Sequence, residues 1–288
     1  MKLLKKMEMI MKKINLNIDG YIIEVTHSDK VLFPQLQLTK MDIINYYLNI
    51  ADHLLPLIKD RPITIHCFPN GINEDGYYRQ HPISNSPEWF DKVYLPKKDG
   101  EVMGHILCSN KASLVYLLNH NMIAMHRWLS KYNDPTHPDL MIVDIDPSEN
   151  QFKIACRSAL IIKEELSKLL FEPLVMLTGS KGLHVVIPIL EQKLTFEKTH
   201  GILHTITSKM AENYPHEYTT NVRKIKRKNA VYLDISRNAY GQTAVSPYSI
   251  RANKEAAIAM PIDWEELEDP NLTSKKYTLQ NLLTPIMD

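Results

Sequence analysis

Two aspartates stand two positions apart in the run Met141-Ile142-Val143-Asp144-Ile145-Asp146-Pro147. Side chains alternate across a strand, so Asp144 and Asp146 share one face, their Cα atoms about 6.5 Å apart, while Val143 and Ile145 point into a core. Carboxylates placed this way repel each other unless a cation lies between them, and a divalent metal held by oxygen ligands is the usual remedy. A strand edge with solvated charges and a proline turn is the plainer alternative. Asp234 repeats the pattern in Ala230-Val231-Tyr232-Leu233-Asp234-Ile235. A third acid on another strand is what a two-metal centre needs, its ions bridging the attacking and leaving oxygens. By itself it would read as a lone strand aspartate.

In Thr178-Gly179-Ser180-Lys181-Gly182-Leu183-His184, two glycines flank Ser180 and Lys181. Such a turn can aim backbone N–H groups at an anion. It is not a P-loop, because the Gly-x4-Gly-Lys-Ser spacing is missing and a strand follows; a polar hairpin turn is the alternative. The basic run Arg223-Lys224-Ile225-Lys226-Arg227-Lys228 comes just before the Asp234 strand, and reads either as a phosphate contact or as a solvated loop. Gln242 and Arg251 follow that strand. His126 and Trp128 end an apolar stretch and read most simply as a satisfied core pair. Tyr77 and Tyr78, ahead of Arg79 in a glycine-bearing loop, could stack on bases or form a half-buried pair. Lys97-Lys98-Asp99-Gly100 matches the Lys-x-Asp-Gly pattern of nucleotidyl-transferring ligases, but the other ligase motifs are missing and a hairpin turn explains it.

The elements that must position these residues follow from periodicity. Residues 18–25 alternate as a strand. Thr39 reads as a helix N-cap with Asp42 three positions on, heading a helical pattern from Ile43 to Leu55 that Pro56 limits or kinks. Strands are expected over 63–68, 93–95 and 101–108, the last two joined at Asp99-Gly100 as a hairpin. Residues 111–129 read as helical or mixed, and 140–145 as a strand. Ser148 and Gln151 suggest a capping box for a helix over about 151–171. Strands at 174–177 and 184–189 flank the glycine turn, a helix covers 196–213, and a strand covers 230–235. Strands alternate with helices, but several connections are hairpins. That favours a mixed-sheet α/β or α+β fold over a doubly wound one.

The whole chain has 288 residues, 34 Lys+Arg against 33 Asp+Glu, and three cysteines, Cys67, Cys108 and Cys156. This is an ordinary globular composition, and its near-zero charge rules out nucleic-acid binding by bulk charge while leaving room for a local basic groove. No apolar run reaches the roughly 20 residues of a membrane span. The odd, widely spaced cysteines form no disulfide framework or zinc knuckle and suit a reducing cytosol. Residues 1–14 read as a basic N-terminal extension ahead of one domain over 15–288, and not as a signal peptide.

Taken together, the motifs resemble the polymerase domain of bacterial DNA ligase D and its stand-alone archaeal and bacterial relatives, members of the archaeo-eukaryotic primase superfamily. The resemblance runs from about Ser28 to Leu267. It is carried by SDKVLFP (28–34), LTKMDIINYY (38–47), MHRWLS (125–130), LMIVDIDPSE (140–149), TGSKGLHVVIPI (178–189) and LDISRNAYGQTAVSPYSIRA (233–252). It implies a primase-polymerase fold with two packed sheet lobes around a catalytic cleft. It further implies Asp144, Asp146 and Asp234 as catalytic acids holding two divalent ions, Mn or Mg. Ser180, Lys181 and His184 would hold the phosphates of an incoming NTP or dNTP, with His126, Gln242 and Arg251 as further nucleotide contacts. Lys30 and Lys40 would form a pocket for a DNA 5′-phosphate, Lys40 in the first turn of the capped helix. Tyr77 and Tyr78 would meet the template, with Arg79, Arg227 and Lys228 as further DNA contacts. The hairpin at 98–100 falls where the family has a mobile loop used in joining ends.

Two departures stand out. Relatives carry Gln-Lys after the aromatic pair where this chain has Arg79-Gln80, and many carry a glutamate where Ala124 stands. The expected function is gap filling at double-strand breaks in non-homologous end joining, with a preference for ribonucleotides, on gapped or broken duplex DNA bearing a 5′-phosphate. A separate DNA ligase and an end-binding protein are the expected partners, and the location is cytoplasmic, at the nucleoid. A replicative or plasmid primase of the same superfamily, or a non-catalytic end-bridging protein, are the alternatives. The three carboxylates argue against the second, and the lack of a cysteine cluster argues against the first.

Overall fold

The computed structural model describes residues 13–283 apart from 98 and 190–192. Most of the N-terminal extension, residues 1–12, and the hairpin lysine Lys98 therefore lie outside the described residues, while residues 13 and 14 already belong to a strand. Strands β1 (Lys13–Ile18) and β2 (Tyr21–Thr26) form an antiparallel hairpin. The single strand expected over 18–25 is thereby corrected. Asp19 and Gly20 carry φ of 52° and 83°, and a two-residue turn with both φ positive favours this dipeptide.

After β3 (Val31–Phe33) and β4 (Leu38–Thr39), Thr39 caps α1 (Lys40–Asn49) with the expected box. Its hydroxyl accepts from the Asp42 N–H, and the Asp42 carboxylate accepts from the Thr39 N–H at 2.7 Å. The helix does not run on to Pro56. It breaks at Ile50, and Pro56 sits inside a second helix, α2 (Ala51–Ile58). Then come β5 (Ile63–Cys67), β6 (Tyr77–Arg79), β7 (Lys92–Pro96), β8 (Val102–Ile106), α3 (Lys111–Asn119) and β9 (Met122–Trp128).

The second half begins with β10 (Leu140–Asp146) and α4 (Phe152–Ser167). Ser148 and Gln151 form no capping box there. Gln151 is itself the residue before the helix and makes no side-chain cap, its N–H donating to the Ser148 carbonyl instead. The helix stops at Ser167, short of 171, where Leu170 turns left-handed at φ 64°. Next are β11 (Leu174–Leu177), β12 (Leu183–Pro188), α5 (Phe196–Asn213), β13 (Tyr218–Thr219) and β14 (Val231–Asp234). Finally β15 (Thr243–Val245) returns to the first half, β16 (Met260–Ile262) to the second, and α6 (Leu279–Leu283) closes the described chain.

Two large sheets result. One has the order β15-β9-β5-β8-β7 with β6 added on β5, and the other the order β13-β14-β10-β12-β11-β16. The expected pair of sheet lobes is thus what forms. Alternation along β10 explains how they meet. Met141, Val143 and Ile145 pack with Val185, Ile162 and Leu203 beneath α4 and α5. Leu140 and Ile142, on the opposite face, meet Met176, Val186, Ala244 and Val245 between the sheets. Farther along that same face come Asp144 and Asp146, with His184 beside them on β12. The inter-sheet layer is therefore apolar at one end and polar at the other, and the polar end opens as a cleft. Arg61, just before β5, clasps Asp139, just before β10, through two hydrogen bonds of 2.6 Å each and so ties the lobes together. Among the described residues no helix is long and apolar enough to cross a membrane.

Candidate active site in the inter-sheet cleft

The cleft has a volume of about 510 Å³. Its floor is set by strand register. Asp144 on β10 lies directly opposite Asp234 on β14 and, on its other side, opposite His184 on β12. Asp146 lies opposite Tyr232. Like charges directly across an antiparallel pair are destabilising, so each carboxylate is turned onto a local partner. His184 Nε2 stands 3.4 Å from Asp144 Oδ1. Arg227 Nη1 donates to Asp146 Oδ2 at 3.1 Å, with its guanidinium 3.8 Å above the Tyr232 ring. Asp234 Oδ1 accepts from the Ser236 N–H at 2.8 Å. Burial would raise the Asp144 pKa, but His184, Arg237 and Arg251 around it bring it below the ordinary carboxylate range. Tyr232 is pushed up to about 12 by burial and by Asp234 beside it.

Three acids on adjacent strands form a hard, all-oxygen donor set of the kind that suits Mg²⁺ or Mn²⁺. As they stand, no three His, Cys, Asp or Glu side chains among the described residues are gathered around one point that could hold an ion. The pairing of Asp146 with Arg227 accounts for part of that spread.

The glycine turn forms one wall. Thr178 N–H and its hydroxyl both donate to the Gly182 carbonyl at 3.0 Å. The N–H groups of Ser180 and Gly182 point back at the Thr178 oxygen, 3.3 Å away, so these two are not aimed at the cleft as an anion nest would have them. Asn253 donates to the Gly179 carbonyl and Ser274 to the Ser180 carbonyl, each at 2.8 Å, which pins the turn to the end of the chain. Gly179 has φ +64°, and a Cβ there would meet the Ile258 backbone at 2.8 Å. The Ser180 and Lys181 side chains line the cleft, joined by Arg237 and Arg251.

The facing wall comes from the other sheet. His126 projects from β9, and its pKa is lowered to about 3 by burial and then by Arg251, His66, Arg237 and His184. The imidazole is therefore neutral at physiological pH. Tyr78 from β6 meets it edge-on, with ring centroids 5.8 Å apart. Tyr78 is 62% exposed, Tyr77 42%, and the Arg79 guanidinium lies over the Tyr77 ring. Gln242 sits exposed on the rim beside Gly241.

The cleft thus gathers Asp144, Asp146, Ser180, Lys181, His184, His126, Gln242, Arg251 and Tyr78, with Asp234 paired to its floor. Lys228 is exposed on the neighbouring loop, while Arg227 faces inward to Asp146. Lys30 and Lys40 lie elsewhere, Lys40 in the first turn of α1 as expected, but the N–H groups of that turn are not free for an anion. The N–H groups of Lys40 and Met41 donate to the carbonyls of Lys30 and Ser28 at 2.8 and 2.9 Å, and Asp42 N–H is capped by Thr39. Lys40 is 2% exposed. Its ammonium donates to the carbonyls of Thr26 and Asn119 at 2.9 and 3.0 Å. Burial, and then the nearby charge of Lys30, lower its pKa to about 8. Lys30 donates to the Pro69 carbonyl.

Residues that sequence reasoning left out also build the site. Asn238 grips both the N–H and the carbonyl of Ile142, at 2.9 and 2.7 Å, continuing the β10 edge where β14 has already ended. Arg237, beside it, contributes a third cation to the cleft. Their signal was the polar run Ser236-Arg237-Asn238 immediately after an acid-bearing strand.

Comparison with known proteins follows the same lines. The family model described as LigD, primase-polymerase domain, matches residues 39–287. The bifunctional non-homologous end joining protein LigD of Bacillus subtilis is 28% identical over 266 residues, covering 92% of this chain and 42% of that protein. The multifunctional non-homologous end joining protein LigD of Mycolicibacterium smegmatis is 27% identical over 258 residues, covering 88% of this chain and 34% of that protein. The chain therefore spans less than half the length of these relatives. A solved structure, the polymerase domain from Mycobacterium tuberculosis ligase D in complex with DNA, superimposes with a TM-score of 0.83 at 23% identity, covering 90% of this chain and 92% of that one.

Proposed function

The chain belongs to the LigD primase-polymerase domain family, and from that premise we propose that it is a template-dependent nucleotidyltransferase that fills gaps at broken DNA ends in non-homologous end joining. The observation that carries this reading is the register setting Asp144 against Asp234, with Asp146 two positions along, opposite a wall of Ser180, Lys181 and Arg251. Carboxylates on one side and cations on the other match a substrate that brings both metal ions and a triphosphate.

In this reading Asp144, Asp146 and Asp234 would hold two divalent ions, Mn or Mg. Such ions offset the charge that builds on the attacking and departing oxygens. Lys181 and Arg251 neutralise the nucleotide's phosphates, Ser180 offers them a hydroxyl, and His184 beside Asp144 steadies that carboxylate. Neutral His126 presents a hydrogen-bonding nitrogen without adding charge. Tyr77 and Tyr78 receive the template, Gln242 closes the rim, and Arg79 and Lys228 extend the contact along DNA. A 5′-phosphate beside Lys30 and Lys40 would relieve the repulsion between two neighbouring ammonium groups. Ligation and end binding belong, in this proposal, to a separate DNA ligase and an end-binding protein, and the work is done at the nucleoid.

The test is single-nucleotide extension on a gapped duplex carrying a 5′-phosphate, with all four nucleotides and Mn²⁺ or Mg²⁺. Template-directed extension by the wild type supports the reading. De novo oligomer synthesis would identify a primase instead, and DNA binding without turnover would identify an end-bridging protein.

A further inference from the structure

His66 belongs to no part of the chemistry described so far. It sits on β5 with its side chain on the cleft side, and its neighbours are fixed by register on both sides. Tyr78 on β6 lies directly opposite it, and Ala124 on β9 lies opposite it on the other side. The imidazole and the Tyr78 ring are stacked, with centroids 3.9 Å apart and planes 13° apart. Phe68 packs against the same imidazole at 4.3 Å.

Tyr78 needs such support. It stands on a strand of three residues and is 62% exposed, so packing holds little of its ring. On the Ala124 side the methyl group fills little space, and a cavity of about 130 Å³ remains between Ala124, His66, His126 and Arg251. From β9, His126 meets the Tyr78 ring edge-on, but no larger side chain at position 124 backs its face. The surface behind the tyrosine is therefore the imidazole face. Offset-stacked ring pairs attract beyond the area they bury, enough to favour one orientation of an exposed ring several-fold.

We propose that His66 is a positioning residue that holds the Tyr78 ring upright over the cleft, edge-on to His126, and so sets the width of the site that a templating base and its nucleotide must enter. The proposal rests on the polymerase reading for what passes beneath Tyr78, but not for the clamp itself. It gives the Ala124 position a consequence. With a small residue there, the face of the Tyr78 ring is braced from β5, while β9 meets only its edge through His126.

Two readouts decide it. The first is the ¹⁹F resonance of fluorotyrosine placed at position 78, in wild type, His66→Ala and His66→Phe. Loss of the imidazole should shift and average that resonance, and phenylalanine, which keeps a stacking face, should restore a single position. The second is extension of a gapped duplex by His66→Ala, Tyr78→Ala and the double variant. His66→Ala should raise KM for the nucleotide about three- to tenfold with a smaller change in kcat, His66→Phe should recover it, and the double variant should be no worse than Tyr78→Ala. An unchanged ¹⁹F resonance in His66→Ala overturns the clamp. So do losses that multiply in the double variant, because His66 would then act independently of Tyr78. If the wild type extends nothing, the polymerase reading fails, while the ¹⁹F arm still decides whether His66 holds the ring.

Discussion

Gly182 makes the sharpest single test of how the cleft is built. It immediately precedes β12, hard against β10, and a Cβ at this position would lie 1.8 Å from the Ile145 carbonyl oxygen and 2.9 Å from Pro147 Cδ. The obstructing oxygen belongs to the backbone between Asp144 and Asp146, so no side chain can swing away. Restoring an ordinary carbon–oxygen separation of roughly 3.3 Å requires the strands to part locally by about 1.5 Å. Gly182→Ala should cost about 1–3 kcal/mol, as overpacked sites do, which is about 2–4 °C in Tm per kcal/mol for a chain of this order of size. The larger effect should be on turnover. The displaced segment joins Lys181 to His184, and misplacement of a reacting group by about 1 Å can lower a rate on the order of 100-fold. Gly201 supplies the control: it lies in α5 with nothing within 4 Å of an added Cβ. Gly201→Ala should stabilise by up to about 1 kcal/mol, as helix propensity requires, and leave extension unchanged. Thermal melts and single-nucleotide extension rates on both variants decide the matter. A Gly182→Ala protein with wild-type Tm and rate would refute the claim that backbone contact between β10 and β12 sets the site.

Replacing Asp144, Asp146 or Asp234 singly by Asn should abolish extension while circular dichroism and DNA binding persist, since most DNA affinity comes from phosphate contacts elsewhere; near-normal extension by Asp144→Asn would sink the two-metal reading. Asp139→Ala leaves the Arg61 guanidinium, with its side chain 7% exposed, without its carboxylate; a loss of about 3 kcal/mol in urea unfolding is expected, and a loss below about 0.5 kcal/mol would show the clasp to be idle. Lys40 is charged below pH 8 in the free protein, and a bound phosphate would raise its pKa, so binding takes up a proton above that pH. The affinity ratio for 5′-phosphoryl over 5′-hydroxyl gaps should therefore fall between pH 7 and pH 9, and a constant ratio would exclude Lys40 from the contact. Competition between equal concentrations of ribo- and deoxyribonucleotides should favour the ribonucleotide, whose 2′-hydroxyl both donates and accepts; clear exclusion of it would contradict that preference.

Local chemistry was legible in the sequence where a few adjacent residues decide it. Thr39 with Asp42 forms the capping box it spelled, and Asp99-Gly100 turns a hairpin between β7 and β8. The same dipeptide at 19–20 is masked because Ile18 and Ile22, four positions apart, keep one strand face in step across the turn and mimic one strand. Long-range facts were out of reach. Alternation put Asp144 and Asp146 on one face, but that Asp234 lies opposite Asp144 depends on strand order. The burial of Lys40 was equally hidden, because the two carbonyls that hold its ammonium come from Thr26 and Asn119, on elements that only tertiary packing brings together. That Arg227 turns inward to Asp146 was hidden too, because nothing in a basic run marks which member does so. The overall architecture was reached through motif resemblance, since hairpins and crossovers alone do not choose among mixed-sheet folds.

The late strands β15 and β16 also have a bearing on how the chain folds. β15 completes the first sheet against β9, and β16 completes the second against β11, although the strands they join are made far earlier. During synthesis both sheets therefore wait with an open edge, β9 carrying a nearly continuous buried face and β11 three of its four residues buried. Unpaired edges of this kind invite pairing with other chains. A nascent chain released before residue 243 should aggregate and not yield a stable half-molecule, so the two lobes become soluble together, at the moment the returning strands seal them.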